Sequence, residues 1–201
     1  LQGRGLNAKI IRHFGLGCAP NRWDGLLRHM RQKGYSEAEL VNANLARRSD
    51  KNGRTSCYDN FRNRMMIPII DLRGNVIAFG GRVLDDAKPK YVNTSDTLVY
   101  KKSQAIFALN FAKSANQGKL ILAEGYMDVI AYHQAGFTNA VACLGTALTR
   151  EQARLLARYA DEVILSYDAD GAGQEATRRA IGIFNEIGMK LRVLRLSGGK
   201  D

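Results

Sequence analysis

Two carboxylates, Asp168 and Asp170, stand two positions apart in SYDADGAGQEATRRA (166–180), after the apolar run Val163–Leu165 and ahead of a stretch with helical spacing. Like charges this close repel and raise a pKa unless a cation sits between them. A hard divalent ion such as magnesium resolves the conflict, because it takes one or two carboxylates, keeps several waters and shares its remaining positions with substrate phosphates. A third acid, Glu124, directly follows the apolar run 120–123, and Asp201 lies just past the run 191–196. D-x-D-G also opens a calcium-binding EF-hand loop, with Gly173 on its sixth position. Ala172 at the fifth position and Arg179 at the twelfth, where a bidentate Glu belongs, exclude calcium. Read alone, the aspartate pair is equally an N-cap plus a turn residue before a helix at 173, and Glu124 alone is an exposed carboxylate at a strand end.

The elements that must position these acids are legible from Lys119 onward. Short apolar runs at 120–123, 140–144, 163–165 and 191–196 alternate with helical stretches, which predicts a mainly parallel sheet flanked by helices. In such a sheet ligands bind beyond the carboxyl ends of the strands. Three strands therefore deliver Glu124, the Asp168/Asp170 pair and Asp201 to one rim, and this convergence favours a metal site over coincidence. Residues two apart in extended chain point to one side, so Asp168 and Asp170 are expected to aim at a common point. The helix predicted over 173–188 carries the stripe Ala176, Ala180, Ile183, Phe184 and Ile187, with Arg178 and Arg179 off it. Thr149 and Gln152 have the spacing of a capping box.

The first part reads as a mixed α+β unit, with helices expected near 7–14, 22–33 and 36–45 and a β-hairpin around DLRGN in MMIPIIDLRGNVIAFGGR. The seam is placed in 111–119, giving domains 1–115 and 116–201. Trp23, Leu26, Leu27 and Met30 have helical core spacing, so packing is favoured over base stacking for Trp23; Tyr126, beside Glu124, is left open between packing and a site role. RRSDKNGR (47–54) is read as an exposed loop, and His13, His29 and His133 are not spaced as a metal set.

Lys and Arg number 30 against 19 Asp and Glu, a net charge of +11. Through Gly118 there are 20 basic and 9 acidic residues, and from Lys119 onward 10 of each, so the whole excess lies in the first part. A cationic face beside clustered carboxylates suits a protein that handles a polyanion, although any single basic residue taken alone is a solvated charge. No run approaches a transmembrane span and the start lacks signal-peptide order, so a cytoplasmic home is expected. Cys18, Cys57 and Cys143 are odd in number and form no C-x-x-C pair, which suits reduced thiols better than a disulfide frame or a structural zinc site and suggests buried small hydrophobes. The chain has no initiator Met and stops at SGGKD, and is read as a piece of a longer protein.

LAEGYMDVIAYHQAG (122–136), followed some forty residues later by SYDADGAGQEA, resembles the Toprim superfamily, and the wording E-G-Y-M-D resembles bacterial replicative primases of the DnaG type. NRMMIPIIDLRGNVIAFGGRVLDDAKPKYVNTSDT (63–97) is similar to the basic subdomain that precedes Toprim in the RNA polymerase core of those primases, and LQGRGL (1–6) to a motif nearer its start. The likeness covers nearly the whole chain. E-G plus D-x-D alone would mark only the superfamily, shared with topoisomerases and nucleases; joined to F-G-G-R and P-K-Y it is far narrower.

The resemblance implies an α/β fold, a Rossmann-like Toprim unit preceded by the basic subdomain. Because the family continues past G-[GE]-[KE]-D with a proline and further acids, it implies a Toprim unit truncated at its C-terminal end. It makes Glu124, Asp168 and Asp170 the metal-binding acids, with Asp201 the first of a further acidic pair and Asp128 in support. It assigns Arg4, Arg82, Lys90 and Lys102 to the nucleotide and template cleft, with Asn93 at a sugar or base edge. Physically, the planar fork of Arg82 suits a phosphate, and Gly80 and Gly81 before it would admit a second backbone or a ligand.

The implied activity is primer synthesis: metal-dependent nucleotidyl transfer from ribonucleoside triphosphates on single-stranded DNA, with Mg2+, Mn2+ as a substitute, and no zinc in this part. Implied partners are the template, the nucleotides, the RNA–DNA hybrid and, through other parts of the full protein, the replicative helicase, at the cytoplasmic replication fork and without a membrane. The alternatives are a Toprim part of a topoisomerase or nuclease, or a non-catalytic single-stranded nucleic-acid-binding module whose acids only cap and solubilise.

Overall fold

The computed structural model describes residues 5–51, 53–115, 118–145 and 147–194; Arg4 and Asp201 lie outside the described residues. The chain divides into two compact units, Leu1–Ile69 with Val76–Lys101, and Ile70–Asn75 with Lys102–Asp201.

The first unit contains α1 (Ala8–His13), β1 (Gly17–Ala19), α2 (Gly25–Gln32), α3 (Glu37–Asn42), β2 (Ala46–Lys51), β3 (Arg54–Asp59), β4 (Arg64–Ile70), β5 (Val76–Val83) and β6 (Tyr91–Asn93). Its four-stranded sheet has the order β1-β4-β5-β6, and β4 and β5 flank the DLRGN turn as the sequence predicts. The short helices are set by their caps: Ser36 and Glu39 form a reciprocal capping box on α3. For α2 the carboxylate of Asp59, at the end of β3, takes the N–H groups of Leu26 and Leu27 at 2.7 and 2.9 Å, while Asp24 makes no side-chain cap. The run 47–54 is not the expected loop: β2 and β3 pair antiparallel as a hairpin with Arg47 opposite Tyr58. Thr55, Cys57 and Tyr58 give β3 the β-branched and aromatic character of a strand, which the count of charges concealed.

The second unit contains β7 (Ile106–Phe107), α4 (Leu109–Ala112), β8 (Lys119–Ala123), α5 (Tyr126–Gln134), β9 (Ala140–Cys143), α6 (Arg150–Leu156), β10 (Glu162–Ser166), α7 (Gly171–Glu186) and β11 (Lys190–Val193). The strand order is β11-β10-β8-β9-β7, parallel throughout except for the antiparallel edge strand β7. Strands covered on both faces read as continuous apolar runs, which is why LILA and AVAC are buried at nearly every position. Leu120, Leu122, Val141, Val163 and Leu165 form one core face against Ala153 and Leu156 of α6 and Ala180 and Phe184 of α7. Among the described residues no helix is long and apolar enough to cross a membrane. Of the cysteines only Cys143 is buried; Cys18 is exposed on β1, a three-residue edge strand paired along one side only, and Cys57 is half-buried.

Candidate functional site

The acids of the two motifs meet at neighbouring strand ends. β8 and β10 run parallel with Ala123 opposite Ser166, the last residue of each strand, so Glu124 and Asp168 leave the sheet side by side. The Glu124 Oε2 accepts a hydrogen bond from the Asp168 N–H at 3.2 Å. Asp170 is the N-cap of α7, its Oδ1 accepting from the Gly173 N–H at 2.7 Å. Asp128 is the third residue of α5 and its Oδ2 accepts from the Gly125 N–H at 2.9 Å, which holds it in the same turn as Glu124. Asp170 thus caps α7 two residues after Asp168, whose N–H binds Glu124.

Partial burial pushes the Glu124 carboxyl above its ordinary range. The bond from Asp168 N–H works against this, and the charges of Asp168, Asp170 and Asp128 add to it. An acid whose pKa is raised by folding binds its proton more tightly in the folded state, so stability is lost as pH rises through that pKa. Glu124→Gln is therefore expected to melt higher than the unsubstituted protein at neutral pH without divalent ions, with the difference closing on acidification toward the unfolded-state value. Thermal melts across pH check this, and a lower melting temperature at neutral pH would contradict it.

Among the described residues no group of three or more His, Cys, Asp or Glu side chains is placed to hold a metal ion. Nor does any Lys or Arg form an ion pair with Glu124, Asp168 or Asp170. Oxygen-only donors with uncompensated charge fit a hard ion that needs few protein ligands and completes its shell with water and phosphate.

Two further contacts support the acids. A Cβ added at Gly173 would lie 2.1 Å from the Asp168 carbonyl oxygen and 2.8 Å from its carbonyl carbon, so the first turn of α7 is packed directly on the Asp168 backbone. The Tyr132 hydroxyl on α5 and Ser166 Oγ at the end of β10 lie 2.6 Å apart, tying together the two elements that carry the acids. Tyr126 is buried and packs edge-on against Phe107, so it serves the core.

The basic residues divide between the units. In the first, β5 and β6 pair Arg82 with Tyr91 and Gly80 with Asn93, placing Arg82, Tyr91 and Asn93 on one sheet face, with the Arg82 guanidinium 5.7 Å from the Tyr91 ring centroid. Lys90 is exposed one residue before Tyr91. The space at Gly81 is taken by neither a backbone nor a ligand: its Cβ position lies 2.8 and 2.9 Å from side-chain atoms of Phe61 and Arg64 in the same unit. In the second unit, Lys102 precedes β7, whose Ile106 pairs with Cys143 at the carboxyl end of β9. The antiparallel β7 thus brings the Lys102–Ala105 segment to the same rim of the sheet from which Glu124 and Asp168 emerge.

Trp23 is not a core residue. It precedes the N-cap of α2, so helical spacing does not reach it, and it is 57% exposed. Its ring stacks on Tyr58 at 4.6 Å between centroids, and the Arg62 guanidinium lies 4.6 and 4.9 Å from the Trp23 and Tyr58 rings. Beside this stack lies a cleft of about 510 Å3 lined among others by Arg47, Tyr58, Arg62 and Lys88. An exposed aromatic stack beside a cleft lined by Arg and Lys side chains offers the ingredients of single-strand binding.

Residues 1–113 match the family described as DNA primase catalytic core, N-terminal domain, and residues 121–201 match a Toprim-like family. The DNA primase of Clostridium acetobutylicum is 50% identical over 199 residues, which cover 98% of this chain and 33% of that protein. The chain therefore spans about a third of the length of that relative. The E. coli primase catalytic core superimposes with a TM-score of 0.90 at 39% identity, covering all of this chain and 65% of that one. A DnaG primase catalytic domain bound to single-stranded DNA gives 0.89 at 39% identity, covering all of this chain and 63% of that one.

Proposed function

This chain belongs to the DNA primase catalytic core, N-terminal domain family, and from that premise we propose that it is the nucleotidyl-transfer core of a DNA-directed RNA polymerase that lays short RNA primers on single-stranded DNA. The observation that carries the reading is the bond between Glu124 and the Asp168 backbone, which joins the acid of E-G-Y-M-D to the D-x-D pair at one strand-end rim. In the reaction the 3′-hydroxyl of one ribonucleotide attacks the α-phosphate of the next, a new P–O bond forms and pyrophosphate leaves. No protein nucleophile is used, so the protein supplies position and electrostatics.

Glu124, Asp168 and Asp170, with Asp201, would hold Mg2+, for which Mn2+ can substitute. When bound, the ion lowers the pKa of the attacking hydroxyl and neutralises charge on the leaving oxygens. Asp128 holds the turn that presents Glu124. Arg4, Arg82, Lys90 and Lys102 hold phosphates and Asn93 a sugar or base edge. The template strand runs along the Trp23–Tyr58–Arg62 stack, with the RNA–DNA hybrid as product and the replicative helicase engaged by other parts of the full protein in the cytoplasm.

Because a base–aromatic stack is worth about 1–3 kcal/mol, Trp23→Ala is expected to weaken single-stranded DNA binding by roughly 5- to 100-fold. Fluorescence anisotropy with a labelled oligonucleotide measures this, and an unchanged Kd would remove Trp23 from the template path. The reading as a whole is tested by supplying the full-length protein with ribonucleotides and either single-stranded or supercoiled DNA. Primers on the former without nicking of the latter support it. Nicking alone points to a topoisomerase or nuclease, and magnesium-indifferent binding with no product to a passive module.

A further inference from the structure

We propose that Gln152, with Thr149, is a positioning residue for the nucleotide-binding lysine Lys102: the start of α6 clamps the segment that carries it. The sequence reads Thr149 and Gln152 as a capping box, and they do form one, Gln152 Oε1 accepting from Thr149 N–H at 3.0 Å and Thr149 Oγ1 from Gln152 N–H at 3.1 Å. A capping box ordinarily ends there. Here both side chains also reach a segment some fifty residues earlier in the chain. Gln152 Nε2 donates to the carbonyl oxygens of Lys102 at 3.1 Å and Ala105 at 2.9 Å, and Thr149 Oγ1 donates to the Ser103 carbonyl at 2.7 Å.

Gln152 is fully buried, and this arrangement employs its amide oxygen and its amide nitrogen together. Its donors are matched to backbone acceptors of a segment that has no regular structure before β7. Three bonds to residues 102, 103 and 105 fix that segment where it arrives at the carboxyl rim of the sheet. The requirement they meet is not that of the helix, which needs only an oxygen at residue 152. It is that of the loop, which needs a neutral donor there. A glutamate would cap α6 equally well and could not donate when ionised. The choice of Gln over Glu is therefore explained by the Lys102 segment and not by the cap.

The inference rests on the reading of Lys102 as a ligand of the nucleotide triphosphate, and the experiment separates the two. In the full-length protein, Gln152→Glu keeps the cap and turns a donor into an acceptor facing two carbonyls. KM for ribonucleotide is expected to rise roughly tenfold while kcat stays within about twofold, as for a loss of ground-state positioning. In a Lys102→Ala background the same substitution should add no further rise in KM. Gln152→Met, which removes both amide donors and leaves the Thr149 bond to the backbone N–H of residue 152, repeats the comparison if the buried glutamate does not fold; circular dichroism melts establish which variants fold. A raised KM for Lys102→Ala with an independent, multiplying effect of Gln152→Glu overturns the positioning role alone. An unchanged KM for Lys102→Ala overturns the nucleotide role of Lys102 and the proposal with it.

Discussion

Asp168→Ala in the full-length protein is expected to cut primer synthesis roughly a thousandfold while leaving template binding and the melting profile near those of the unsubstituted protein. The magnitude follows from the several kcal/mol that a metal-held charge contributes to a phosphoryl transition state, at 1.36 kcal/mol per factor of ten. Stability is expected to survive because the Asp168 side chain is exposed and makes no hydrogen bond among the described residues, its N–H being the group that binds Glu124. Asp170→Ala is the informative partner. It removes an acid and also the cap on a sixteen-residue helix, so it should lose activity to a similar degree and in addition about 1 kcal/mol of stability. Asp170→Ser restores a capping oxygen without the charge, and is expected to recover the stability but not the activity. Quantifying labelled primers alongside thermal melts distinguishes the three.

The second large effect is expected from a residue with no chemistry of its own. Gly173→Ala puts a methyl group 2.1 Å from the Asp168 carbonyl oxygen, well inside any tolerated contact, and the neighbour is backbone, not the end of a flexible side chain. The Asp168–Asp170 turn must move. A displacement of about 1 Å at a reacting centre costs roughly a hundredfold in rate, so primer synthesis should fall by that order. Gly182→Ala is the control on the same helix, because a Cβ there meets nothing within 4 Å, and it should leave activity intact and stabilise the helix slightly. If Gly173→Ala makes primers at an undiminished rate, the packing of α7 on Asp168 does not set the site.

How far these features were legible depended on whether the information was local. The strands of the second unit were, because a doubly covered parallel strand has to be apolar at successive positions, and the runs 120–123, 140–144 and 163–165 mark it. The acids were legible too, since strand ends in such a sheet share a rim, and Glu124 and Asp168 do meet there. Where side chains act across long sequence separations the pattern was silent. Asp59 capping α2 and Gln152 gripping residues 102 and 105 leave no periodic trace. Trp23 lies outside its apparent helical period because α2 begins only at Gly25, and RRSDKNGR hides a strand because its pairing with β3 does not depend on hydrophobic alternation. Gly173 did carry a signal in its place three residues after Asp170, where the N-cap carboxylate takes its N–H and a side chain would strike the preceding turn.

The most direct test of the central claim, that Glu124, Asp168 and Asp170 together form a divalent-ion site, is manganese binding followed by electron paramagnetic resonance on the full-length protein without nucleotide or DNA. The unsubstituted protein should bind Mn2+ in competition with Mg2+, and the Glu124→Gln and Asp168→Ala proteins should each lose that binding while remaining folded. Undiminished Mn2+ binding in both substituted proteins would contradict it.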